Sequence, residues 1–294
     1  VSDAAAVKPN KVKVMLELVK FEHSVFALPY AYIGALYGAA SVSRWPTWAE
    51  LAWVTVAMVG ARAFAFAVNR AVDKEIDARN PRTAGRAVPA GLIKAGELWL
   101  FSAVMLAAYG LAVYNLAPIT HWLWPVPLAM FIVYPYIKRF SPLAHFWLGA
   151  CLGLGAVGGW AAVTDTVADP APWVFGAAVA VWTAGFDVIY ATQDYECDVR
   201  DGVHSVPADF GIARGLVVTR VTHALAFALF VAGGYLVRAG WWYYAGVAIA
   251  GILLAYENAI VKADDLTRVN AAFFTVNGFV AVIVLAGALL DRLA

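Results

Sequence analysis

Three side chains that offer oxygen ligands stand four residues apart in the stretch "VNRAVDKEIDARNPRT": Asn69, Asp73 and Asp77. A second stretch, "YATQDYECDVRDGVHSVP", repeats the spacing with Tyr190, Asp194 and Asp198. Positions i, i+4 and i+8 fall along one face of a helix, so each stretch presents a line of oxygens. Like charges at i and i+4 cost a helix a few tenths of a kcal/mol, so two acidic pairs imply a compensating cation. Carboxylate and amide oxygens suit a hard ion. Magnesium in particular takes one or two carboxylates while substrate phosphates and water complete its octahedron. The basic residues close by, Arg62, Arg70, Lys74, Arg79, Arg82 and Arg86, are redundant for metal binding alone. They make sense if a polyanion such as diphosphate bridges the metal and the basic groups. A single DxxxD is more often a solvated helix face. Two of them, both closing apolar runs and both set among basic residues, point to a site.

The elements that must hold these residues are membrane helices. The chain has 294 residues, 63% hydrophobic and 14% charged, with a mean hydropathy of +0.71, far from the composition of a soluble domain. Runs of roughly 20 apolar residues, enough to cross a bilayer, lie near 24–42, 47–68, 97–116, 120–137, 143–164, 171–191, 213–236, 241–257 and 270–290. Such runs are too long and too rarely alternating for barrel strands. The expectation is an all-α, single-domain bundle of about nine spans over 1–294, with a central cavity opening at one face. The longest connections, near 69–96 and 192–212, are the two acidic stretches, which read as a weak internal repeat.

Orientation follows from the basic residues. Of the 21 lysines and arginines, all but Arg44, Arg238 and Arg292 fall on one side if the N-terminus is cytoplasmic. Both acidic stretches then face the cytoplasm, in a protein expected in the plasma membrane. In "VKPNKVKVMLELVKFEH", Glu17, Lys20, Glu22 and His23 interrupt any signal-peptide core, and an amphipathic helix lying in the interface fits better. Cys151 falls in a span and Cys197 in a cytoplasmic segment, so no disulfide framework is implied. The five histidines show no metal-binding spacing. Gly149 and Gly153 in "LGACLGLGAVGGW" have the spacing of close helix packing. Arg62, seven residues before Asn69, lies two turns away on the same face and inside the second span, where an ionisable residue is a functional candidate.

With these residues in view, the sequence resembles the UbiA superfamily of membrane-embedded prenyltransferases. The likeness is carried by NxxxDxxxD (Asn69, Asp73, Asp77), by DxxxD (Asp194, Asp198) and by YxxxK (Tyr134, Lys138). It runs from "LVKFEHSVFALPYAYIGAL" through "YPYIKRF" to the second acidic stretch, and the distal "VNAAFFTVNG" resembles the respiratory-quinone branch. One departure is that Arg86 is followed by Ala87, with the proline delayed to Pro89.

The resemblance implies a ligand set and an activity. Two Mg²⁺ ions would be held by Asn69, Asp73, Asp194 and Asp198, with Asp77 and Asp187 supporting or completing the shell. The donor would be an allylic polyprenyl diphosphate and the acceptor an aromatic acid, 4-hydroxybenzoate first, in ubiquinone or menaquinone biosynthesis. Arg62, Arg70, Lys138 and Arg139 would stabilise the leaving diphosphate, with Tyr134, Asp187 and Tyr190 also against substrate. An aspartate near the site would take the phenolic proton. Phe26, Tyr30, Phe66, Phe186 and Tyr190 are candidates to line an apolar chamber and face the allylic cation. A transporter with carboxylate relays would place its charges near the bilayer midplane. A CDP-alcohol phosphotransferase would carry one contiguous motif introduced by Asp-Gly, which the Ala61-Arg62 stretch lacks.

Overall fold

The structure is a computed structural model that describes residues 14–15 and 26–294. The expected interfacial helix lies outside the described residues except for Val14 and Met15, which are helical and pack against Ala63, Ala67 and neighbours. Among the described residues there is no strand, only one isolated bridge between Lys262 and Asp265.

The chain runs through α1 (Leu28–Ser41), α2 (Trp48–Val72), the short α3 (Lys74–Arg79), α4 (Ala95–Tyr114), α5 (Thr120–Leu123), α6 (Pro125–Ile137), α7 (Ala144–Thr164) and α8 (Pro170–Ala191). After a 3₁₀ turn at Thr192–Asp194 come α9 (Tyr195–Asp201), α10 (Val206–Phe210), α11 (Ile212–Leu236), α12 (Trp241–Ile260), a π-helical segment at Ala271–Val276 and α13 (Asn277–Leu293). Seven stretches among the described residues are long and apolar enough to cross a membrane. The protein is a multi-pass integral membrane protein. The other two expected spans are represented by shorter helices, the 14-residue α1 and the 13-residue α6. The 120–137 run is divided because Pro125 opens a new helix at its first position, where its missing N–H costs nothing.

Local chemistry fixes the ends. Thr47 and Glu50 form a reciprocal capping box at the start of α2, Asp169 accepts from the Ala171 amide at 2.8 Å to start α8, and Asp165 closes α7 in the left-handed conformation. These caps belong to the end of the bundle where Arg44 pairs with Glu50 at 2.7 Å and donates to the Val163 carbonyl. Exposed Trp45, Trp48, Trp122, Trp173 and Trp241 also gather there, as at a membrane interface. The opposite end carries both aspartate motifs.

Helix α7 is the spine. A side chain at Gly149 or Gly153 would overlap the carbonyls of Ala180 and Gly176 on α8, and one at Gly159 would overlap the Ala31 carbonyl on α1. Glycine therefore lets three backbones approach where dispersion and shape, not water exclusion, hold membrane helices together. The expected packing role of Gly149 and Gly153 is what the structure shows.

Candidate active site

The first motif keeps its helical line through a break in the helix. Asn69 stands in the last turn of α2, Asp73 ends it, and Asp77 lies in α3. The Asp73 amide still donates to Asn69 at 2.9 Å and the Asp77 amide to Asp73 at 2.8 Å, so the three side chains stay on one face. The second motif is less regular. Tyr190 is in α8, Asp194 ends the 3₁₀ turn, and Asp198 is in α9, which Gly202 terminates with a positive φ of 67°.

Both motifs open into one cavity of about 560 Å³. Of the residues singled out from the sequence, Asn69, Asp73, Asp77, Asp194, Asp198, Lys138, Arg62, Arg70, Tyr134, Asp187 and Tyr190 all line it. Arg139 does not. Its guanidinium donates to the Val72 carbonyl at 2.9 Å and stands 3.6 Å from Asp73 Oδ1, just behind the wall. Five cationic side chains (Arg62, Arg70, Arg82, Arg86, Lys138) and five carboxylates (Asp73, Asp77, Asp187, Asp194, Asp198) line the cavity, all but Arg62 towards the motif end. Away from the motif end the lining is mostly apolar and reaches Leu116, Trp124 and Trp173 at the opposite end.

The pairing is specific. Lys138 Nζ donates to Asp73 Oδ2 at 2.5 Å, and Asn69 Nδ2 reaches the same oxygen at 3.0 Å. Asp73 is 1% exposed and its Oδ1 is buried without a hydrogen bond. Burial pushes its carboxyl above the usual range, and Lys138 opposes that shift. Asp77 holds Arg86 at 2.7 Å and Arg70 at 3.3 Å. Asp194 is gripped by the turn that follows the first motif. Asn80 Nδ2 donates to it at 2.7 Å, and Arg82 reaches it through Nε at 2.8 Å and through Nη2. Arg82 also donates to the Tyr190 hydroxyl at 2.8 Å and lies over its ring. Among the described residues Asp198 has a single hydrogen-bond partner, the Ser205 hydroxyl at 3.1 Å.

Sequence reading missed Asn80, Ser205 and above all His145. His145 Nδ1 lies 2.7 Å from Asp187, and its Nε2 accepts the Val206 amide, which assigns the proton to Nδ1. No local spacing announces this contact, because it joins residues 42 apart on α7 and α8. Two of the five expected aromatics reach the cavity. Phe66 and Tyr190 line the cavity, whereas Phe26, Tyr30 and Phe186 are packed into the core with Trp182, Phe230 and Phe273. Phe273, from the π-helical segment, replaces them at the wall and stacks on Tyr190 at 4.1 Å. Deeper in, Arg62 stands over Phe66 at 4.9 Å with its Nε buried and without a hydrogen-bond partner among the described residues.

Among the described residues no three His, Cys, Asp or Glu side chains converge into a ready-made metal cage. Lysine and arginine side chains pair instead with Asp73, Asp77 and Asp194. The donor set nevertheless suits a hard cation: buried, unsatisfied Asp73 Oδ1 together with Asn69, Asp194 and Asp198 on facing walls of one cavity.

The UbiA prenyltransferase family profile matches residues 27–282. The chain belongs to the UbiA prenyltransferase family. The 4-hydroxybenzoate octaprenyltransferase of Yersinia pseudotuberculosis serotype O:1b (strain IP 31758) is 32% identical over 231 residues, 78% of this chain and 79% of that protein. The protein of the same name from Janthinobacterium sp. (strain Marseille) is 27% identical over 90% of this chain and 92% of its own. Among solved structures, the apo UbiA homolog from Aeropyrum pernix K1 superposes with a TM-score of 0.83 at 35% identity, covering 92% of this chain and 98% of that one. A UbiA homolog from Archaeoglobus fulgidus bound to GPP and Mg²⁺ shares the fold at a TM-score of 0.70 and 19% identity.

Proposed function

We propose that this UbiA-family chain transfers a polyprenyl group from an allylic polyprenyl diphosphate to the ring of an aromatic acid, with 4-hydroxybenzoate the first choice. The observation that carries the reading is the cavity itself. Two aspartate motifs and their cations form its polar end, and a continuous apolar wall runs away from them. Charges gathered at one end suit a phosphate head with a hydrocarbon tail, not a relay across the midplane.

Asn69, Asp73, Asp194 and Asp198 are assigned to hold two Mg²⁺ ions, with Asp77 anchoring Arg70 and Arg86 behind them. Bound magnesium supplies Lewis-acid stabilisation of the diphosphate as a leaving group. Lys138, Arg70 and Arg139 add fixed positive charge where negative charge grows as the allylic carbon–oxygen bond breaks, its electron pair passing to the diphosphate. Tyr134 and Tyr190 stand at the wall between head and chain. Arg62 is assigned the acceptor carboxylate, because it is a cation in the apolar part of the cavity with no carboxylate partner among the described residues.

Asp187 is assigned the phenolic proton. It pairs with neutral His145, whereas Asp73, Asp77 and Asp194 are each held by lysine or arginine. With that proton on Asp187, the ring carbon bonds to the allylic carbon. The ring then loses its own proton and the phenol recovers the one held by Asp187, for a net release of diphosphate and one proton. The apolar wall keeps water from the cation.

The motif end is assigned to the cytoplasmic side of the plasma membrane, from the basic residues it carries. The chain is read as one domain of nine spans, α1 and α6 included. Purified protein given radiolabelled polyprenyl diphosphate and either 4-hydroxybenzoate, 1,4-dihydroxy-2-naphthoate or homogentisate tests the activity. The expected result is Mg²⁺-dependent labelling of 4-hydroxybenzoate. Labelling of none of the three, with Mg²⁺ present and the protein folded, overturns the reading.

A further inference from the structure

Among the glycines of α7, Gly158 alone has neither a packing partner nor a tight neighbour. Side chains built at Gly149, Gly153 and Gly159 meet backbone carbonyls, and one at Gly155 meets the Met58 methyl at 3.2 Å, whereas among the described residues nothing stands within 4 Å of a side chain at Gly158. Helix packing therefore explains its neighbours and leaves Gly158 without a structural reason. A glycine inside a helix costs about 1 kcal/mol relative to alanine, so a residue with a packing role, or an empty space that matters, is the usual reason for one.

The space that Gly158 leaves open is the cavity. Gly158 lines it together with Gly155 and Cys151, one and two turns back along the same face of α7. Helix α7 starts at Ala144 beside the polar end, where His145 pairs with Asp187, and runs away from it. Gly158 is therefore roughly 21 Å along the helix axis from Ala144. An extended isoprene unit adds four carbon–carbon bonds and about 5 Å, so this position is reached by about the fourth unit of a chain whose head lies at the motifs. The cavity continues past it to Ala161, Leu116 and Trp173.

We propose that Gly158 sets the prenyl-chain length the protein accepts: its missing side chain keeps the channel open past the fourth isoprene unit, so that longer donors pass. The inference rests on the prenyl-transfer reading and adds to it both a path for the chain, along α7 and across the bundle, and the residue that gates it. The competing path, with the chain leaving sideways between helices close to the polar end, gives Gly158 no influence on chain length.

The test compares kcat/KM for geranyl, geranylgeranyl and octaprenyl diphosphates in wild-type protein, in Gly158→Phe and in Gly158→Leu, with Gly158→Ala as the smallest step. The expected result is a fall of at least about tenfold in kcat/KM for the octaprenyl donor relative to the geranyl donor in Gly158→Phe, a size typical of steric discrimination in an apolar pocket. Gly158→Leu should show a smaller fall in the same direction, and geranyl transfer should change little in both. An unchanged donor ratio in the variants, or an equal loss with every donor, overturns the inference. If Gly158→Phe does not fold, Gly158→Leu and Gly158→Ala decide in the same way. Wild-type protein that turns over none of the donors strikes instead at the prenyl-transfer reading itself.

Discussion

The two aspartate motifs have the same spacing and opposite surroundings. In the first, Asp73 and Asp77 are 1% and 5% exposed, and each is held by two basic side chains, drawn from α2, from α6 and its C-terminal turn, and from the loop after α3. In the second, Asp194 depends on Asn80 and Arg82, which belong to the turn following the first motif, and Asp198 depends on Ser205 alone among the described residues. One motif is a platform set in an ion-pair lattice. The other is positioned from outside its own helix. A shared pattern of residues thus fixes which oxygens face the cavity, while the number of cations around each decides how firmly it is held.

Removing a carboxylate should break this comparison most severely. Asp73→Ala deletes a proposed ligand and takes the carboxylate partner from half-buried Lys138, and the expected loss in kcat is about 10³-fold or more. Asp194→Ala should be comparably inactive yet better folded, because the Asp194 side chain is 16% exposed where that of Asp73 is 2%, so less is lost from the packed interior. Turnover of each purified variant beside its melting temperature checks both, and near wild-type turnover in either removes that residue from the site.

Lys138 comes next. If it stabilises the leaving diphosphate, Lys138→Met should lower kcat and kcat/KM together by about 10- to 100-fold, and Lys138→Arg should restore little because a planar fork is not a point charge. Steady-state kinetics with varied donor at saturating Mg²⁺ provide the measurement. An unchanged kcat would leave Lys138 with topology alone.

Arg82 sharpens the contrast between the motifs. Arg82→Lys keeps the charge and loses the fork that spans Asp194 and Tyr190, so the donor KM should rise about tenfold with a smaller change in kcat. Arg82→Ala combined with Asp194→Asn should cost less than the two changes summed, since both remove one contact. Strict additivity in a double-mutant cycle would show that the clamp does not act as a unit. The smallest effect is expected from Ser205→Ala, which removes one hydrogen bond to Asp198. A loss near 1 kcal/mol, about fivefold in kcat/KM, is the scale of such a bond, and a larger loss would mean that the second motif is held more tightly than its partners indicate.

The helices were legible because apolar length is a local property. The runs expected at 143–164 and 171–191 became Ala144–Thr164 and Pro170–Ala191. The run expected at 47–68 extends to Val72, because Asn69 and Arg70 turn inward to the cavity and the helix need not stop where hydropathy does. Asn69, Asp73, Asp194 and Asp198 were legible for the same reason, since their spacing is written within single turns of helix. Partner choice was not. Arg82 grips Asp194 across 112 residues, and His145 meets Asp187 across 42, distances at which sequence carries no local trace. The aromatic wall misled for a related reason. Phe26, Tyr30 and Phe186 have the right depth, yet each faces away from the cavity, and the residue that faces it, Phe273, comes from a π-helical turn whose register a 3.6-residue period does not follow.

The matched charges of the cavity, five of each sign, have a consequence for how the donor arrives. A pocket of unpaired cations would project its field into solvent and draw anions from a distance, with a capture rate that falls as salt rises. Here the positive groups are largely spoken for by neighbouring carboxylates, so little field leaks out and free nucleotides or inorganic phosphate gain no long-range advantage. On the proposed reading, a diphosphate head group would instead exchange places with a carboxylate at close range, and Asn69, Asp73, Asp194 and Asp198 would hold the magnesium that neutralises it. Selectivity against abundant soluble anions would then be built into the resting state, before any part of the lipid tail is recognised.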